Sequence, residues 1–340
     1  MLIPVNKKPH CLYYEKCFPF KMLDTSSDDI EFTERFKEVN DVIQEGFLFY
    51  YDKPVKILPV GWAITEEGNI IESSVMSHLE SRIPQPDESA TNQICQHQCA
   101  TKLDLAFSFN LRYAGTNYWH LHNDLLGQIF VLHKWFPRNV PIIVSECLQR
   151  FPPFNFLIEN NKYMKDLNFI FQKPNEIIEC KKVIFAKTVP NRLPIFSQIV
   201  DNYDMDAINL NQTSENIFIT RNPSRPRSIQ NMGTIQPVLD KYEFECIDCA
   251  DLTVEEQISY FRNAKNIIGL HGAGLANIMY SSSDCRLLEL HSTKSIPPHY
   301  YWLAKQKGMY YNACGGSNPN RFEIDAGVLE AKINLMLENK

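Results

Sequence analysis

The chain has 340 residues, which at roughly 100–200 per domain predicts about two domains. Its 44% apolar and 22% charged residues are those of an ordinary globular protein, which excludes collagen, coiled coil and a wholly disordered chain. With 34 Lys+Arg against 40 Asp+Glu the formal charge is −6, so no basic excess or run exists to neutralise a nucleic-acid backbone, and nucleic acid is not an expected partner.

No apolar stretch approaches the roughly 18 residues of a membrane span, Val140–Val144 being among the longest, so no span is expected. The opening Met1–Lys8 turns polar before it could serve as an export leader, which predicts a cytoplasmic protein, or a lumenal one if the chain was trimmed. Ten cysteines spread along the chain read as reduced thiols and not as a disulfide framework. Asn211-Gln-Thr213 matches a glycosylation acceptor, a pattern too common to decide the compartment.

Taken in order, the first fifty residues show an acidic, helical stretch through Asp28–Asn40 and no clean period elsewhere. Alternation at Val55–Val60, Trp62–Thr65 and Asn69–Glu72, about Glu66-Glu67-Gly68, predicts strands and a hairpin. Leu105–Leu111 reads as another strand. Thr116 can cap a helix beginning at Asn117, with Tyr118, Leu121, Leu125, Leu126 and Ile129 at helical spacing. Strands follow at Val140–Ser145, Leu167–Phe171 and Glu176–Lys187. The loop Thr188–Leu193, with Pro190 inside it and Pro194 just after it, predicts a domain boundary.

Beyond it strand and helix alternate: strands Asn216–Thr220, Tyr242–Ile247, Asn266–Gly269 and Arg286–His291, and helices Thr234–Lys241, Val254–Asn263, Leu275–Ser281 and Tyr300–Lys307. That succession predicts a parallel sheet covered by helices, with ligands bound at the carboxyl ends of its strands. The domains expected are 1–190, 191–325 and a terminal amphipathic helix, 326–340, that packs back on the body.

Three segments carry chemistry. In Asn266–Asn277 an apolar strand runs into His271-Gly272-Ala273-Gly274 and then a helix. Backbone can approach a ligand closely at such a turn, and the unpaired N–H groups of the helix start suit a diphosphate. The same residues also read as a tight turn capped by His271. Ile217–Arg221 leads from a strand into a loop with Arg221, Arg225 and Arg227, whose planar forks suit phosphate, although arginines in a loop are as readily a solvated surface.

His120 and Asp124, four apart, share a helix face, so the carboxylate can orient the imidazole and raise its basicity, or the two can be a mere surface pair; His122 points elsewhere. Asp204-Met-Asp206 and the cysteines at 95, 99, 246 and 249 could hold a divalent ion or zinc, but both patterns arise by chance and no metal is expected. A hydrolase reading fails for want of a Gly-x-Ser-x-Gly elbow.

Taken together, these blocks resemble glycosyltransferase family 61, which contains plant xylosyl- and arabinosyltransferases and animal protein O-linked N-acetylglucosaminyltransferases. The matching residues are Asn117-Tyr118-x-His120-x-x-x-Asp124; Thr220-Arg221 with Arg227 and Asn231; His271-Gly-Ala-Gly-Leu-Ala-Asn277; Leu287-Leu-Glu289-Leu; and, more weakly, Tyr301-Trp-Leu-Ala304 with Gly308 and Tyr311. The chain departs from the family at Pro226-Arg227, where adjacent basic residues are usual, and at Leu121, where tryptophan is usual.

The resemblance implies an α/β fold of glycosyltransferase B type, with two Rossmann-like domains facing a cleft, the first for the acceptor and the second for the donor. It implies an inverting transfer of a sugar, xylose or N-acetylglucosamine, from a UDP-sugar to a hydroxyl of a glycan or glycoprotein. No cofactor is implied beyond the co-substrate, and no metal. Asp124 or His120 is the expected base; Arg221, Arg227, His271, Gly272, Ala273, Gly274 and Asn277 are expected at the donor, and Glu289 at its ribose or merely ending a strand at the surface. The alternative is an inactive nucleotide-binding or interaction protein of the same fold. Oligomeric state has no signature in the sequence.

Overall fold

The computed structural model describes residues 2–3, 10–15, 44–71, 74, 98–109, 115–132, 137–187, 195–206, 208, 211–225, 228–292, 296–316 and 322–338. The expected helix through Asp28–Asn40 and Arg227 lie outside these residues. The chain divides into two compact units, the first formed by residues 1–15, 44–190 and 202–204, the second by 16–43, 191–201 and 205–340.

Unit 1 carries β1 (Leu2–Ile3), β2 (His10–Glu15), β3 (Gln44–Tyr51), β4 (Val55–Ile57), β5 (Ala63–Thr65), β6 (Ile70–Ile71), β7 (Gln98–Leu103), β8 (Ala106–Ser108), β9 (Ile142–Ser145), β10 (Phe169–Gln172), β11 (Glu176–Cys180) and β12 (Val183–Lys187). They form two six-stranded sheets, ordered β1-β6-β5-β4-β11-β7 and β10-β9-β8-β12-β3-β2. In the second, β10, β9, β8 and β12 run parallel and β3 and β2 extend it antiparallel.

The expected hairpin is present: Gly68 takes a φ of 81° between β5 and β6, a left-handed conformation that glycine adopts at little cost. The single strand expected over Glu176–Lys187 is two. Lys181 and Lys182 break it, sending β11 to one sheet and β12 to the other. Val55, Ile57 and Ile178 of the first sheet then pack with Ala106, Ile143 and Val183 of the second in one buried cluster. The extra mixed sheet goes beyond a simple Rossmann-like half.

Unit 2 is built on one parallel sheet, ordered β14-β13-β15-β16-β17, from β13 (Asn216–Ile219), β14 (Glu245–Ile247), β15 (Asn266–Leu270), β16 (Arg286–Ser292) and β17 (Tyr310–Gly316). Unbroken apolar runs such as Ile267-Ile268 and Leu287-Leu288 are what a strand covered on both faces requires. Met232–Lys241 and the terminal helix Ala326–Glu338 cover one buried cluster through Ile235, Leu239, Leu329 and Ile333. Helices Val254–Asn263 and His299–Lys307 pack against the 3-10 helix Ala273–Tyr280. Thr253 starts the first of these with a capping box closed by Glu256. No helix among the described residues is long and apolar enough to cross a membrane.

Candidate functional site

In unit 1 the chemistry sits on a helix that changes pitch. Asn117, not Thr116, is the cap: its backbone is still extended, and its side-chain oxygen accepts from the N–H groups of Trp119 at 2.9 Å and His120 at 3.3 Å. After one α turn, Leu121–Leu126 widens to a π-helix before α geometry resumes at Gly127. Such turns are rare and recur at functional sites.

His120 Nδ1 lies 2.5 Å from Asp124 Oδ2, and the other carboxylate oxygen accepts from Asn123 Nδ2 at 2.7 Å. Asp124 is thereby held from two sides and aligns the imidazole. His120 keeps 30% of its side chain exposed against 16% for Asp124, so the ring is the more accessible of the two. Asn123 was not singled out in the sequence; as the buried neighbour of Asp124 its only signal is an amide beside an acid on a predicted helix.

His122 does point elsewhere. It is 1% exposed, its Nδ1–H donates to the Tyr118 carbonyl at 2.9 Å, and burial pulls it down to about 4, so it is neutral. Leu121, at the family's usual tryptophan, is wholly buried. A cavity of about 760 Å³ elsewhere in unit 1, lined by Lys56, Lys102, Lys181 and Glu179 among others, includes neither His120 nor Asp124.

In unit 2 the expected glycine turn stands at the carboxyl end of β15. Gly272 is extended (φ 176°), a conformation open to any residue, so its need for glycine is steric: a β-carbon there would lie 2.6 Å from Arg221 Nη2. Two blocks fifty residues apart in sequence thus meet, the guanidinium against the backbone of the turn. A β-carbon on Gly274 would lie 3.2 Å from Cys249 Sγ, a thiol that burial, partly countered by Arg221, pushes up to about 12. At the start of the Ala273–Tyr280 helix no side chain caps the first turn, and the Leu275 N–H donates to Gly272 O at 3.0 Å.

The other arginines differ. Arg225 turns to Asp248 at 3.9 Å, the carboxylate that also anchors the loop through Asn222 N at 2.9 Å. Asn277, expected at the donor, is fully enclosed: its amide donates to Gly274 O at 3.0 Å and Gln257 Oε1 at 2.9 Å, so it ties the turn shut. Asn231 likewise binds backbone, that of Ile324, and Gly308 (φ 69°) is the left-handed cap of His299–Lys307.

Glu289 neither ends a strand at the surface nor offers itself to a ribose. It is 0% exposed, with Oε1 2.5 Å from His271 Nδ1, and Oε2 accepting from Tyr311 Oη at 2.8 Å with His291 Nε2 at 3.4 Å. Burial works to raise its pKa, but the charge of His291 and the hydrogen bond of His271 outweigh it and hold the carboxyl well below the usual range. Donor atoms of His271, Glu289 and His291 fall within 4.8 Å of one another, the grouping among the described residues that could take a divalent ion. Hydrogen bonds already fill both carboxylate oxygens, which accounts for the convergence. Asp204 of the Asp-x-Asp pattern pairs instead with Lys162 at 3.7 Å.

Compared with known proteins, residues 118–288 match the family described as Glycosyltransferase 61. The chain belongs to glycosyltransferase family 61. The match begins at the capped helix of His120 and Asp124 and reaches β16, so the family region takes in both dyad residues, Arg221 and the glycine turn. Two plant proteins align over 64 residues: a beta-1,2-xylosyltransferase of Arabidopsis thaliana at 34% identity, and beta-1,2-xylosyltransferase RCN11 of Oryza sativa subsp. japonica at 31%. Those stretches cover 19% of this family 61 chain and 12% of each relative's length.

Proposed function

We propose that this glycosyltransferase is an inverting, UDP-sugar-dependent enzyme of B type, its units 1 and 2 serving acceptor and donor, with the helix at 326–340 completing the second. The observation that carries the reading is the meeting of Arg221 with Gly272, which sets a permanent cation against a backbone turn suited to a diphosphate. The names of the two relatives favour xylose over N-acetylglucosamine as the sugar, and the acceptor in this reading is a hydroxyl of a glycan or glycoprotein.

In the proposed reaction His120 takes the proton of the acceptor hydroxyl as its oxygen bonds to the anomeric carbon on the face opposite the leaving group. Asp124, fixed by Asn123, stabilises the imidazolium that forms. The anomeric carbon releases the diphosphate oxygen with its electron pair. Arg221 and the amides after Gly272 take up that negative charge. These positions can stabilise the leaving group without a metal.

The test is thermal-shift binding of a panel of UDP-sugars with and without EDTA, followed by transfer assays with the best binder. A shift with one UDP-sugar that survives chelation, followed by turnover, is the expected result. Binding without turnover on any acceptor would favour the inactive alternative, and no shift with any nucleotide would overturn the reading.

A further inference from the structure

Arg221 lies just where the ladder between β13 and β14 ends. The last regular bond runs from Thr220 N–H to Ile247 O at 2.9 Å. In a parallel pair the N–H groups of alternate residues go to alternate carbonyls, so the next bond would run from Asn222 N–H to Cys249 O. That carbonyl is already taken, since it accepts from Gln257 Nε2 at 2.9 Å. The Asn222 N–H goes instead to Asp248 Oδ2 at 2.9 Å, so a carboxylate side chain stands in for the strand carbonyl.

Asp248 is arranged for backbone and not for an ion pair. Its other oxygen, Oδ1, accepts from Ala250 N–H at 3.0 Å, while Arg225 stays at 3.9 Å with 48% of its side chain in solvent. The carboxylate itself is only 13% exposed, so its bonds are shielded from water. Arg221 is thereby flanked by two bonds to consecutive residues of one chain segment, through Thr220 to Ile247 and through Asn222 to Asp248. Beyond it the loop closes on itself: Asn222 Oδ1 accepts from Ser224 N at 3.0 Å, and Arg225 N donates to Asn222 O at 2.9 Å. The same strand end reaches the glycine turn, because Gln257 also accepts from Asn277, which holds Gly274 O.

We infer that Asp248 is a positioning residue of the donor site: by replacing the missing strand carbonyl it fixes the backbone on both sides of Arg221 and presents the guanidinium, ready placed, to a nucleotide diphosphate. The inference rests on the donor-binding role proposed above for Arg221. Asp248 makes no contact with the nucleotide in this role, and its whole effect on binding passes through Arg221.

The experiment is a titration of the full chain with UDP, followed by NMR so that millimolar dissociation constants are readable, for wild type, Asp248→Ser, Arg221→Ala and the double variant. Serine can still accept from Ala250 N–H but is too short for Asn222. Asp248→Ser should weaken UDP about tenfold in the wild-type background and have no further effect once Arg221 is gone. Unchanged affinity in Asp248→Ser, or an equal loss in both backgrounds, would overturn the inference and leave the transferase reading intact; no UDP binding by wild type sinks both. Where Arg221→Ala binds too weakly to titrate, the Nε–H signal of Arg221 decides: in Asp248→Ser it should move toward that of a free arginine, and an unmoved signal overturns the inference. Should Asp248→Ser fail to fold, Asp248→Asn takes its place, since its single oxygen can serve only one of the two N–H groups.

Discussion

Arg221 Nη2 occupies the space in which a side chain on residue 272 would begin, 2.6 Å from the position of its β-carbon. The far end of a flexible side chain can yield, so Gly272→Ala should fold normally but displace the guanidinium. UDP affinity is expected to drop about tenfold or more, the worth of a hydrogen bond to a charged group, with little change in melting temperature. Calorimetry beside a melting curve checks it, and unchanged affinity would separate Arg221 from the diphosphate.

For the proposed base, His120→Ala should lower kcat by roughly 10²–10⁴-fold with donor KM little changed, since the group acts on the acceptor proton. Asp124→Asn keeps the shape and removes the charge that supports the imidazolium, and should lose activity in the same direction. Steady-state kinetics against the donor distinguish this from a binding defect: a rise in donor KM with kcat intact would remove the pair from proton transfer.

His122 supplies a pH signature of stability in unit 1. Its folded value of about 4 lies below the unfolded value near 6.5, so the unfolded chain binds the proton more readily. The stability is complete above about pH 6.5 and is lost as pH falls toward 4, a change on the order of 3 kcal/mol for this one group. Denaturant unfolding across that window should show the loss in wild type and a shallower slope in His122→Gln.

Removing the hydroxyl that closes the capping box, Thr253→Ala, should cost about 1 kcal/mol in the unfolding of unit 2. Glu256 would keep its place in the first turn but lose half of the reciprocal bond. The hydrogen bond from the helix Val254–Asn263 to the glycine turn runs from Gln257 to Asn277 and not from the capped end, so UDP binding should survive in the folded variant. Chemical denaturation and calorimetry together test both statements.

The alternating second half was legible because each element there is local and strongly patterned. The bounds of Val254–Asn263 agree to the residue, its start marked by Thr253 with Glu256 three residues on. The first half was harder: β11 and β12 read as one strand because nothing local says that Lys181 and Lys182 hand the chain from one sheet to another. The site divides similarly. Spacing was enough to pair His120 with Asp124, but the π turn and the support of Asn123 depend on hydrogen bonds that no periodicity reports. Glu289 and Asn277 carry chemistry-bearing side chains, but the first is enclosed between β15 and β17 and the second against Gln257 of the helix Val254–Asn263, which residue type alone does not reveal.

The π turn at Leu121–Leu126 has a consequence for length. A π segment accommodates one more residue than an α-helix between the same two ends, so the stretch that carries Asp124 holds a surplus residue. Deleting Leu125 or Leu126 would let the helix run on as plain α with His120 and Asp124 still four apart on one face, so what the deletion would change is the pitch of the helix. At this place the number of residues matters as much as their identity.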